Sequence, residues 1–157
     1  MSDKIKKLVV IAHAPSPNTV KLKDAVLAGA RHSDISNVET RWVAPLEAQP
    51  DHVLNSDGVI LGTTENLGYM SGALKDFFDR CFYPLSEKTD ALPFAFYIRA
   101  GLDGTGTRRA IESITSGMKW RLVQAPLICH GEWQDEFVAQ CEELGQFMGL
   151  SLDNDFF

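Results

Sequence analysis

Apolar positions fall in short blocks whose period changes along the chain. Leu8 to Ala12 is apolar at every position and β-branched at most of them, the pattern of a parallel strand covered on both faces. Gly58 to Gly62 repeats that pattern. Between them, Leu22, Ala25, Val26 and Gly29 share one face of a helix predicted over 20–30. Residues 38–43 read as a more polar strand, and 45–56 leave room for a short helix.

After the third strand, 63–71 reads as a loop. Leu74, Phe77, Phe78, Cys81 and Phe82 then recur at the spacing of one helical face, and Pro84 is predicted to end that helix. Asp76 and Arg80 form an acid-first pair one turn apart. A fourth strand is predicted over 94–98, a glycine-rich loop over 101–106, and a helix over 107–119 on Ile111, Ile114, Thr115 and Met118. A fifth strand over 122–129 contains Pro126, which lacks a ladder donor and suits an edge. The last helix, over 134–148, uses Phe137, Cys141, Leu144 and Met148.

Five strands alternating with helices predict one α/β domain over 1–157: a five-stranded parallel sheet, order 2-1-3-4-5, between two helix layers. In such sheets ligands bind beyond the carboxyl ends of the strands. The loops after strands one, three and four are therefore the candidate site.

Composition narrows the function. The net charge is −6 over 157 residues, which argues against duplex nucleic acid as a partner. Cationic residues end at Arg121, and seven Asp and Glu follow, giving an acidic C-terminal segment. That segment reads as a solvated face or as a surface for a basic partner. No apolar run approaches the roughly 20 residues of a membrane span. Ala12-His13-Ala14 mimics a signal-peptidase site, but the apolar stretch before it is too short for a secretory leader. Cys81, Cys129 and Cys141 are odd in number and without a C-x-x-C, so neither a disulfide framework nor a metal site is expected. Buried thiols in a reducing cytoplasm are the expectation. His32 and His52 sit among polar residues and are expected to be exposed.

Several ligands of this architecture drop out. A phospho-receiver needs an acidic residue at the end of strand three, where Thr63 and Thr64 stand. The dinucleotide fingerprint G-x-G-x-x-G and the P-loop lysine are missing, and Gly68-Tyr-Met-Ser-Gly72 has the wrong spacing for a nucleophile elbow. A mononucleotide held by three loops remains. Ser16, Asn18 and Thr19 stand at the start of the first helix, where free N–H groups suit a phosphate. The same residues suit an ordinary N-cap.

The segment from Gly62 to Arg80 resembles the flavodoxin superfamily, most of all its NAD(P)H-dependent FMN and quinone reductase branch. Gly62, Thr63, Gly68, Met70, Ser71, Gly72, Leu74, Lys75, Phe77, Asp79 and Arg80 match that branch's pattern. The resemblance implies a flavodoxin-like three-layer sandwich and non-covalent FMN. It assigns the phosphate to Ser16, Asn18 and Thr19. It assigns the edge and face of the ring to Thr64, Glu65, Asn66, Leu67 and Gly68, with Tyr69 either stacked on the ring or packed on the surface. Ala100, Gly101, Leu102, Asp103 and Gly104 would close the other side. Glu65 beside the ring would lower its potential.

Four positions depart from the pattern. Ala14 and Pro17 replace a hydroxyl and a glycine of the phosphate loop, Thr64 replaces a proline, and Asn66 replaces an aromatic or basic residue. Two functions follow from the resemblance. One is a reductase with NAD(P)H as donor and a quinone, flavin or similar small molecule as acceptor, a homo-oligomer like its relatives. The other is a flavodoxin-type carrier serving a redox partner protein. A module that has lost its flavin is a third reading, from the phosphate-loop departures. No residue is singled out as catalytic, because hydride transfer to a flavin needs no protein acid or base.

Overall fold

The computed structural model describes residues 4–157. A central sheet is built from β1 (Lys6–Ala12), β2 (Val38–Val43), β3 (Gly58–Asn66) and β5 (Pro93–Ala100), all parallel, in the order β2-β1-β3-β5. The far edge is shared by two short strands, β6 (Arg121–Leu122) and β7 (Leu127–His130), which both pair with β5. The predicted fifth strand is thus broken. Phe94 pairs with Leu122 and Tyr97 with Leu127, so the two residues of β5 between these pairs stand opposite four on the edge. Pro126, without an N–H, lies in that irregular stretch.

Side chains alternate across the sheet because strand geometry has a period of two. Leu8, Val10, Ile60 and Tyr97 face one layer, formed by α1 (Pro17–Ala30) and α5 (Glu136–Asp153). Val9, Ile11, Leu61 and Phe96 face the other, formed by α2 (Pro50–Leu54), α3 (Gly72–Leu85) and α4 (Thr105–Gly117). Both faces are covered, which is why the central strands read as unbroken apolar runs. Helices α1 and α5 meet backbone to backbone: a Cβ on Gly145 would lie 2.0 Å from the carbonyl oxygen of Val26.

Several boundaries differ from expectation for local reasons. Helix α1 starts at Pro17 because Ser16 caps it. Helix α4 starts at Thr105 because Gly104, at φ 73°, turns the chain into it. Pro84 lies inside the last turn of α3, and the helix ends at Leu85. Residues 45–56 hold a 3-10 turn, Pro45–Glu47, followed by α2. Arg80 pins that turn to α3 by donating to the carbonyls of Pro45 (2.9 Å) and Ala48 (2.7 Å), besides pairing with Asp76 at 2.7 Å.

The three cysteines are buried free thiols. Burial raises the Cys81 thiol, and a hydrogen bond with Cys129 together with burial pushes Cys141 far up. His32 and His52 are half-buried rather than exposed. Each ring accepts a nearby backbone N–H, from Asp34 (3.1 Å) and Gln49 (2.8 Å) respectively. Among the described residues, no helix is long and apolar enough to cross a membrane, and no His, Cys, Asp and Glu cluster could hold a metal ion.

Candidate functional site

Three loops leave the carboxyl ends of β1, β3 and β5 on the same edge of the sheet. The first, 13–16, leads into α1. Ser16 and Thr19 form a reciprocal capping box: Thr19 N–H donates to Ser16 Oγ (3.2 Å) and Ser16 N–H donates to Thr19 Oγ1 (2.9 Å). Their hydroxyls also bond each other at 2.9 Å. Of the donors that the resemblance assigns to a phosphate, those of Ser16 and Thr19 are therefore committed to each other, and Pro15 and Pro17 have no N–H. Asn18 follows, exposed, and its N–H has no acceptor among the described residues. It stands at the positive end of a 14-residue helix. His13 is half-buried there, and desolvation holds its imidazole below the ordinary value.

The second loop is not a loop but a hairpin. Strand β3 runs on to Asn66, turns through Leu67 (φ 53°) and Gly68 (φ 76°), and returns as β4 (Tyr69–Met70). Two successive positive φ values are the requirement of the tight turn whose twist suits a hairpin. The base of the hairpin is fixed by buried Thr63, whose hydroxyl accepts the Ser71 N–H (3.0 Å) and donates to the Thr64 carbonyl (2.9 Å). Ser71 in turn caps α3 through Leu74 N–H at 3.1 Å. The Thr64 hydroxyl bonds the Asn66 amide oxygen at 2.9 Å.

The third loop, 101–104, joins β5 to α4. Glu65 binds it from the hairpin. Its Oε1 accepts the Leu102 N–H and its Oε2 accepts the Gly104 N–H, each at 2.9 Å. Asp103 accepts the Thr105 N–H at 3.0 Å, which lowers its carboxyl below the ordinary range. Ala100 lies beneath, fully buried, its carbonyl accepting from Gly131 N–H and the Arg99 guanidinium.

Above these bonds the surface is apolar. Leu67 is fully exposed, Leu102 is 73% exposed, and Tyr69 is 40% exposed. Gly68 and Gly101 have open space where a side chain would stand. Exposed leucines on two touching loops make a shelf that a flat apolar group would cover. Two concavities among the described residues lie elsewhere. One, of about 280 Å³, covers the first halves of β1 and β2 beside α2, and the other lies between α3 and α4.

Most residues singled out in the sequence thus converge on one edge, but in different roles. Asn18, Leu67, Gly68, Tyr69, Gly101 and Leu102 present free surface or donors. Ser16, Thr19, Thr64, Glu65, Asn66, Asp103 and Gly104 hold the loops in shape. Sequence reasoning missed Thr63 as the hairpin's anchor and Gly106, whose bare backbone meets Gly68. The adjacent glycines of the two loops were the available signal for that close approach.

Comparison with known proteins agrees with this architecture. No protein-family model matches the chain. A flavodoxin from Aquifex aeolicus (strain VF5) is 32% identical over 108 residues, covering 69% of this chain and 57% of that protein. This chain therefore matches under three fifths of that relative's length. Among solved structures, an archaeal flavodoxin superposes with a TM-score of 0.77 at 16% identity, covering 93% of this chain and 98% of the other. An NADH:FMN oxidoreductase in its apo form gives 0.69 at 20% identity, covering 93% and 89%. At these identities the structural likenesses speak to the fold.

Proposed function

This chain belongs to the flavodoxin superfamily, and from that premise we propose that it binds FMN on the three-loop edge and acts as an NAD(P)H-dependent reductase of quinones, flavins or similar acceptors. The observation that carries the reading is the exposed shelf of Leu67 and Leu102 on two loops joined through Glu65, at the same carboxyl end of the sheet as the N-terminus of α1. A flat tricyclic ring with a phosphate tail has that pair of needs.

The residues fit the group. Leu67, Tyr69 and Leu102 offer apolar area, and Gly68 and Gly101 allow close backbone approach to a ring. Asn18 offers a free backbone N–H and a side-chain amide to the phosphate at the helix terminus. When bound, FMN supplies the hydride chemistry. The chain's part is to hold and orient it. The carboxylates of Glu65 and Asp103 are bonded to backbone amides rather than aimed outward as acid or base. No tryptophan stands on either loop, which leaves an open face for a nicotinamide or a quinone to approach.

A test is steady-state oxidation of NADPH and NADH by the FMN-loaded protein with a benzoquinone acceptor. Turnover that depends on both FMN and quinone supports the reductase. FMN uptake without NAD(P)H oxidation, with electron delivery to a partner protein, supports a carrier instead. The acidic segment after Arg121 is the feature that favours that second reading.

A further inference from the structure

We propose that Glu65 is a positioning residue, whose carboxylate ties the hairpin to the third loop and thereby sets how a flavin lies against both. This rests on the FMN reading above and adds a role for a side chain that the resemblance places only beside the ring. The hairpin is fixed from its own side, through Thr63 and Ser71. The third loop is not. Neither Leu102 N–H nor Gly104 N–H finds a backbone acceptor among the described residues, and both find Glu65. Gly104 at φ 73° aims its N–H at the carboxylate, and the next amide, Thr105, is taken by Asp103.

Both carboxylate oxygens are used, and bonds from N–H groups to an ionised acceptor are the stronger kind. They span 37 and 39 residues of sequence, so nothing local replaces them. Leu102, the exposed apolar side chain of the third loop, is attached to the residue whose amide Glu65 holds. Releasing the carboxylate therefore frees one wall of the shelf while leaving the hairpin wall in place. Gln in place of Glu keeps one acceptor but turns an NH2 toward the second amide, donor against donor. Ala removes both acceptors.

The test compares wild type, Glu65→Gln and Glu65→Ala in two measurements. Amide hydrogen exchange on the FMN-free protein reads the tie itself, with core amides of β1 and β5 as the control for folding. FMN titration by fluorescence quenching, with visible circular dichroism of the bound flavin, reads its consequence. The expected result is unchanged core exchange, with Leu102 and Gly104 amides exchanging about tenfold faster or more in Glu65→Ala. FMN affinity should fall about tenfold with an altered dichroism band, and Glu65→Gln should be intermediate. Unchanged exchange at both amides overturns the proposal. So does faster exchange with wild-type FMN affinity and dichroism. Wild-type protein that takes up no FMN overturns the flavin reading itself, whatever the exchange shows; FMN uptake equal in wild type and Glu65→Ala overturns the positioning role alone.

Discussion

The carbonyl oxygen of Gly68 lies so close to the backbone of Gly106 that a Cβ on Gly106 would sit 2.2 Å from it. The hairpin turn rests directly on the first turn of α4. Alanine at a helical position ordinarily gains up to about 1 kcal/mol over glycine. Here the overlap with a backbone atom outweighs that gain. Gly106→Ala is expected to lose about 2 kcal/mol in urea unfolding. Gly72→Ala, at the start of α3 with nothing within 4 Å, is expected to be neutral or slightly stabilising. Equal effects at the two positions would refute the close contact.

Ser16 and Thr19 spend their hydrogen bonds on each other. Ser16→Ala should therefore cost about 1 kcal/mol of stability through the lost cap. Pro17→Gly restores a backbone N–H at the helix start and should tighten FMN binding about fivefold, the worth of one added hydrogen bond. Isothermal titration with FMN checks the second claim, and weaker or unchanged binding contradicts it.

Tyr97 is 2% exposed, and its hydroxyl has no hydrogen-bond partner among the described residues. Burial accordingly raises the phenol well above its ordinary value. Removing an unpaired buried hydroxyl removes a desolvation cost. Tyr97→Phe should match wild type or gain up to about 1 kcal/mol in thermal or urea unfolding. A clear loss would mean that the hydroxyl is satisfied in solution.

His13 gives a pH dependence of definite sign. Its folded value lies below the ordinary 6.5 because burial disfavours the cation. As pH falls through 6.5, the unfolded chain takes up a proton that the folded chain declines, so stability drops; above 6.5 the effect vanishes. The loss levels off once pH passes below the folded value. The urea midpoint of His13→Gln should be flatter than that of wild type just below pH 6.5. Parallel curves would assign the acid sensitivity to other groups.

The strands β1 and β3 were legible because central strands buried on both faces carry apolar, β-branched runs, while β2 is a more polar edge strand. The layer order followed from their alternation with helices. The hairpin was not legible, since its turn is Leu67-Gly68 and a leucine at φ 53° has no propensity signature. Strand five looked continuous because local apolar character does not show how Pro126 disturbs pairing. At the site, the sequence located the three loops but not the division of labour within them. Ser16 and Thr19 are equally good caps and phosphate donors by residue type. The bonds of Glu65 depend on a partner segment more than thirty residues away, which no local pattern encodes.

The most direct test of the central claim is titration of FMN with the purified protein, followed by its fluorescence. The account predicts saturable quenching at one FMN per chain, abolished by adding a charged side chain to the shelf in Gly101→Asp while thermal unfolding stays at wild type. FMN that keeps its free fluorescence throughout, or quenching that Gly101→Asp leaves intact, would contradict a flavin site on this edge of the sheet.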